Sequence, residues 1–352
     1  MTPLVLIQYN IMKKLLILGA NGFIGSNLIE HILKTRPHWQ ITALDLATDK
    51  LGALLDDPRV TFEQADMRER RDWIEEQVEE ADVVLPLVAI ATPATYVSNP
   101  IAVFELDFEA NLAVVRDCVK LKKRLIFPST SEVYGMSEDL PYDEEESRLV
   151  TGPIHKQRWI YSCSKQMMDR VIYAYGARGD LKFTLFRPFN WMGPKLDNVW
   201  SNKGSSSRVV SQFLSDILHG RDIQIVGSGD QKRCFLYIDD AIDALMRIIE
   251  NEGGCADGKI FNIGHPGNEA SIRELAEALL ATVKQYPDYK SSITQIRTTT
   301  ADAYYGKGYQ DVERRVPSIV RAEKILGWKP TTDFSAALKK TVDYYMSIRP
   351  KA

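Results

Sequence analysis

Apolar residues fall into two rhythms along the first half of the chain. Short, mostly apolar runs at 15–18, 41–44, 60–63, 83–87, 124–127 and 183–186 read as buried strands. Between them the spacing changes to that of helices, first through Phe23, Ile24, Leu28, Ile29 and Ile32 and later over 101–119 and 161–175. Strands alternating with helices predict an α/β fold, a parallel sheet covered on both faces. After Pro188 the pattern loosens. Helices are expected at 207–219, 240–250, 272–283 and 334–345, with short strands at 223–226 and 260–263 among long polar loops. This predicts a smaller, mostly helical lobe sharing one cleft with the sheet. The organisation expected is an extension over 1–12, a sheet domain over 13–188, and a substrate-binding lobe over 189–352 with some segments returning to the sheet domain.

Composition narrows the function classes. Hydrophobic residues make up 45% and charged residues 26% of the 352 positions, ordinary for a soluble globular protein. A net charge of −3 gives no electrostatic reason to expect nucleic acid, so an anionic substrate would need a local cationic pocket. The apolar stretch 81–94 is interrupted by Pro86 and Pro93 and is too short to span a bilayer, and residues 1–12 lack a basic start and a small-residue cleavage site. Cys118, Cys163, Cys234 and Cys255 are far apart, and the five histidines show no ligand spacing. Reduced thiols, no metal site, no membrane insertion and a cytoplasmic location are expected.

The turn after the first strand reads Gly19-Ala20-Asn21-Gly22-Phe23-Ile24-Gly25. Between a strand and a helix, glycines at this spacing permit a tight turn and let a pyrophosphate approach the helix N-terminus. Asp45, 20 residues beyond Gly25, ends the second strand, where a carboxylate accepts both ribose hydroxyls and repels a 2′-phosphate. No arginine follows it, which favours NAD over NADP. Asp66 and Met67, after the third strand, are expected at the adenine edge. These features predict a Rossmann-type doubly wound sheet.

Tyr161 and Lys165 stand four apart and so share one helix face. A lysine ammonium one turn away lowers a phenol's pKa and lets Tyr161 take a hydroxyl proton during hydride transfer. Upstream, Pro128-Ser129-Thr130-Ser131-Glu132-Val133-Tyr134-Gly135 follows the fifth strand, and Thr130 or Ser131 can hydrogen-bond the oxygen that becomes a ketone. Arg208, Lys232 and Arg233 suit a diphosphate.

With these motifs the chain resembles the extended short-chain dehydrogenase/reductase family over residues 13 to 347. Sugar 4,6-dehydratases of that family pair an Asp with a Glu in the segment after the fifth strand; here Ser131 holds the Asp place beside Glu132, which removes the acid that would expel a hydroxyl. A closer resemblance runs through Val84–Pro93, Arg158-Trp159-Ile160-Tyr161, Phe186–Pro194, Gln231–Phe235 and Tyr304–Arg315. These segments are similar to the UDP-glucuronic acid decarboxylase half of the ArnA-type bifunctional polymyxin-resistance enzymes, here without the formyltransferase domain. The resemblance implies NAD contacts at Asp45, Asp66, Met67, Ala91 and Tyr96. It implies substrate contacts at Thr130, Ser131, Arg158, Asn190, the stretch Gln224–Arg233 (Gln231 and Lys232 included) and Tyr309. Glu132 would be the proton acceptor and Arg315 the proton donor. An arginine is an odd literal acid, so Arg315 is better read as binding the sugar carboxylate or positioning a water, with Glu132 relaying the proton.

The activity this implies is NAD-dependent oxidative decarboxylation of UDP-glucuronic acid to UDP-4-keto-pentose, with partial re-reduction to UDP-xylose left open, in lipid A modification or another glycan route. Alternatives are a UDP-sugar 4-epimerase or 4,6-dehydratase and, from another class, a non-catalytic NAD-binding sensor or scaffold. The family's habit of pairing through two long helices implies a homo-oligomer, dimer or larger. Two departures stand out: Arg314 beside Arg315 leaves the choice between them to flanking residues, and Asp230 puts an acid in the diphosphate-facing loop.

Overall fold

The computed structural model describes residues 12–201, 208–286 and 294–350. Residues 1–11 of the expected extension and Ser207, the expected start of a helix, lie outside the described residues.

Seven strands form one parallel sheet: β1 (Lys14–Leu18), β2 (Gln40–Asp45), β3 (Val60–Gln64), β4 (Val83–Pro86), β5 (Arg124–Pro128), β6 (Phe183–Pro188) and β7 (Lys259–Ile263). Their spatial order is β7-β6-β5-β4-β1-β2-β3. The order reverses between β1 and β4, and a doubly wound sheet opens a crevice there, outside the carboxyl ends of its strands. Strands β1 and β4 are apolar and almost fully buried because helices cover both faces. The expected strand at 260–263 is present as β7, but it extends the main sheet rather than serving the lobe, pairing with β6 from Lys259↔Thr184 to Ile263↔Pro188.

The helices that position the site are α1 (Phe23–Thr35), α2 (Arg71–Glu80), α3 (Asn111–Lys120) and α4 (Trp159–Ala177). The helix expected over 101–119 is not uniform. An α-helical turn at Pro100–Phe104 passes through a π-helical turn at Glu105–Ala110 before α3 begins. Beyond β6 come α5 (Val209–Leu218), α6 (Ile238–Glu250), α7 (Ile272–Val283) and α8 (Phe334–Ser347), close to the expected spans. One apolar core runs from Leu15, Leu28 and Ile29 through Ile242 and Leu245 to Leu275 and Leu338. The lobe therefore shares its core with the sheet. Short strand pairs that no sequence rhythm announced knit the lobe together, among them Lys232–Cys234 between Glu269–Ser271 and Arg314–Arg315. Among the described residues no helix is long and apolar enough to cross a membrane.

Candidate active site

A cavity of about 480 Å³ lies at the carboxyl ends of β1, β4 and β5 and runs under the lobe. Its first half is the glycine turn. Gly19 has φ +89°, and a Cβ there would stand 2.9 Å from the Val88 nitrogen, so the turn packs directly on the chain leaving β4. A Cβ on Gly25 would stand 2.5 Å from the Gly19 carbonyl oxygen. Only glycine lets α1 start this close to the turn, and Gly19, Gly22, Phe23, Ile24 and Gly25 then line the cavity at the helix N-terminus, where an anion is favoured. The Asp45 carboxylate accepts the backbone N–H groups of Asn21 (2.9 Å) and Ala47 (3.3 Å). Burial pushes its pKa up and those hydrogen bonds oppose the rise. Asn21 turns away from the cavity, donating to Asp49 and accepting from the Lys50 nitrogen.

Asp45, the expected ribose contact, is not on the cavity wall, and neither are the two expected adenine contacts. The Met67 side chain is buried with Leu16 and Leu18 in the core, and the Asp66 carboxylate is clasped by the Arg68 guanidinium. Ala91 and Tyr96 do line it.

Tyr161 and Lys165 project from α4 into the same cavity. Lys165 Nζ donates to the Pro128 carbonyl at 3.1 Å. The Tyr161 ring stacks on Tyr96, centroids 4.5 Å apart and 7° from parallel. Burial raises the Tyr161 pKa, with the Asp107 and Glu132 carboxylates adding to it, while the Thr130 and Tyr96 hydroxyls oppose it as hydrogen-bond partners. Thr130 Oγ1 also accepts the Glu132 N–H (3.2 Å), capping a short turn over Ser131–Tyr134 that carries Ser131 and Glu132 to the cavity wall.

The second half is held by charge. Glu132 accepts from Arg315 Nη1 at 2.5 Å and from Arg158 Nη2. Burial alone would raise the Glu132 pKa; the two guanidiniums outweigh it and bring the carboxyl down to about 2. Arg158, 1% exposed, is wedged between the Trp159 and Tyr309 rings and does not line the cavity. Arg158, expected at the substrate, is placed behind Glu132 rather than on the cavity wall. Strand register sorts the neighbouring cations: Arg315 pairs with Arg233, and Arg314 with Lys232. In a parallel pair adjacent residues point to the same face, so Arg233 and Arg315 enter the cavity together. Lys232 and Arg314 face the other way, Lys232 exposed and Arg314 bound to Glu269. Of the expected Lys232–Arg233 pair only Arg233 reaches the cavity, and of the paired arginines Arg315 is the one that lines it.

Two buried like charges side by side need counter-ions, and Asp311, which no sequence reading assigned, supplies one by pairing with Arg233 at 2.8 Å. Tyr309, Gln224, Gln231 and Asn190 line the cavity, Asn190 from a left-handed conformation at φ +42°. Arg208 lines it too, but pairs with Asp197 and lies over the Phe23 ring of the cofactor half, 5.3 Å from its centroid. Asp230 is exposed and outside the lining. Tyr304 and Tyr305 are further lining residues that sequence reasoning did not assign, although both lie in the quoted 304–315 segment.

Known structures share this architecture. The chain is 50% identical to the PbgP3 protein from Burkholderia pseudomallei, with a TM-score of 0.87 over 96% of this chain and 97% of that one. At 21% identity it shares its fold with UDP-glucuronic acid 4-epimerase from Bacillus cereus, solved with UDP-glucuronic acid and NAD (TM-score 0.79, covering 96% and 100%). At 20% identity it shares it with dTDP-glucose 4,6-dehydratase from Bacillus anthracis, solved with NAD (TM-score 0.76, covering 96% and 97%). Residues 15–264 match the family described as NAD dependent epimerase/dehydratase, and with most of its length accounted for in this way the chain belongs to that family.

Proposed function

We propose that this chain oxidises C4 of UDP-glucuronic acid and then releases C6 as CO₂, giving UDP-4-keto-pentose, or UDP-xylose where the ketone is reduced before release. The observation that carries this reading is Arg315. It is a buried guanidinium at the cavity wall, clamped to Glu132 beside a neutral Ser131, and its Nε has no hydrogen-bond partner among the described residues. A buried donor of this kind is costly unless an anion reaches it, and the sugar carboxylate is such an anion.

The glycine turn at the α1 N-terminus and Asp45 beside it fit a dinucleotide's pyrophosphate and ribose. When bound, NAD supplies the hydride acceptor. The chain's own residues do the rest. Burial alone keeps Tyr161 a neutral phenol; the Lys165 ammonium, together with the positive nicotinamide, has to stabilise the phenolate for Tyr161 to take the C4 hydroxyl proton. The C4 ketone then stands β to the C6 carboxylate. As the C5–C6 bond breaks, its electron pair passes into an enolate whose charge rests on the C4 oxygen, within reach of Tyr161, Thr130 and Ser131. C5 takes up one proton. Glu132, an anion at neutral pH between its two arginines, has no proton of its own to give, so it orients a water that gives the proton to C5 and is left as hydroxide.

The test is absorbance at 340 nm on mixing protein, NAD and UDP-glucuronic acid, with products identified by NMR. A stoichiometric rise with UDP-4-keto-pentose, or CO₂ release with UDP-xylose and little net NADH, supports the reading. Epimerised UDP-galacturonic acid without CO₂ overturns it in favour of a 4-epimerase.

A further inference from the structure

The π-helical turn Glu105–Ala110 interrupts a helix that is regular on either side, and such turns often re-aim a side chain at a functional site. Here it buries Asp107 completely. Asp107 Oδ2 accepts the Ile90 N–H at 3.1 Å. Its Oδ1 receives no hydrogen bond among the described residues and faces Lys165 Nζ at 3.9 Å. Lys165 is itself 1% exposed, its ammonium close to the Phe127 ring as well as the Pro128 carbonyl.

A buried ammonium without an anion tends to lose its proton. Of the other charged groups around Lys165, only Asp169 also supports its charge, less than Asp107 does, and its Oδ1 too receives no hydrogen bond among the described residues. Asp169, one turn further along α4, is shared between Ser129 Oγ (2.7 Å) and Arg187 (3.1 Å). Glu132 is clamped by Arg158 and Arg315. Tyr161 and Tyr96 are phenols that burial keeps neutral. We propose that Asp107 is a positioning residue whose carboxylate keeps Lys165 protonated, and so sets the upper edge of the pH range in which the Tyr161–Lys165 pair can work. Burial lowers the Lys165 pKa, and Asp107 is the largest influence opposing it. Burial pushes Asp107 itself up to about 6, which leaves it an anion at neutral pH.

The test begins without substrate. In the NAD-loaded protein labelled with ¹³C at lysine Cε, the Lys165 signal is assigned with Lys165→Met and titrated by NMR. Asp107→Asn should lower its midpoint by about one pH unit or more, a tenfold loss of proton affinity. Asp107→Glu should keep it within a few tenths of wild type. Asp107→Ser, also neutral and able to accept from Ile90, replaces the Asn variant if that one does not fold. A midpoint unmoved in the neutral variants overturns the proposal. The kinetic arm rests on the UDP-glucuronic acid reading: where wild type turns that substrate over, the alkaline limb of kcat should move down with the Lys165 midpoint. A lower kcat with an unmoved limb would mark Asp107 as structural. Absence of wild-type turnover would count against the substrate reading alone, because the titration still decides the role of Asp107.

Discussion

The cofactor half of the cleft is built around one turn, residues 19–25, and works mainly through backbone that glycines leave uncovered. The substrate half takes Glu132, Arg158, Arg233, Asp311 and Arg315 from four separate stretches of chain and works through buried charge. A glycine turn keeps its shape by sterics and by backbone contacts to the neighbouring strands, with no buried charge to balance. A buried carboxylate between two guanidiniums exists only if all three arrive together, since desolvating any of them alone costs several kcal/mol, on the order given for isolated buried ions. The first half is local; the second is an all-or-none assembly of buried charges.

The largest expected effect comes from removing Arg315. Arg315→Ala should cut CO₂ release about 10³-fold, the scale of losing a key charge-stabilising group, while NAD affinity by fluorescence titration stays within about twofold. Undiminished CO₂ release would end the role assigned to the charged half.

Next is Glu132→Gln, which strands two buried guanidiniums and should destabilise the fold by about 3–5 kcal/mol in urea unfolding. The effect carries a pH signature. Glu132 is held at about 2 when folded, below the ordinary glutamate value of 4.5. Its ionised form therefore stabilises fully above about pH 4.5, and that contribution is lost as pH falls towards 2. The stability gap between wild type and variant should be level from pH 7 to about 5 and shrink below that. A gap that grew on acidification would reverse the sign of the argument.

Gly25→Ala should weaken NAD binding about tenfold, roughly 1.4 kcal/mol, because the added Cβ forces the helix start away from the Gly19 carbonyl. The smallest effect separates two neighbours. Lys232→Ala should change KM for UDP-glucuronic acid by less than about twofold, as for an exposed charge. Arg233→Ala should raise it at least about tenfold, the cost of a desolvated charge-assisted contact. Equal effects would mean that the strand register does not sort these side chains.

The sheet and the cofactor turn were legible because their signals are contiguous: an apolar run, a glycine spacing, a carboxylate at the end of the next strand. Tyr161 and Lys165 were legible because one helical turn fixes their separation. Lys232 was misplaced because a three-residue strand carries no periodicity from which to tell its inner face. Arg158 was expected at the substrate, yet its neighbours Trp159 and Tyr309 close around it. Asp107 stands at helical spacing on a stripe with Val103, Asn111, Val114 and Cys118, all of them buried as it is. A π turn inside that helix is not written in any spacing, so its meeting with Lys165 was invisible.

By itself, the sequence determined the alternation of strands and helices, the glycine turn and the Tyr–Lys spacing, since each depends on residues within one or two turns of chain. The tertiary structure alone decided which arginine enters the cavity, which acid balances it and which carboxylate faces Lys165. Those outcomes rest on charges that are stable in the interior only when groups far apart in sequence are brought within a few ångströms of one another.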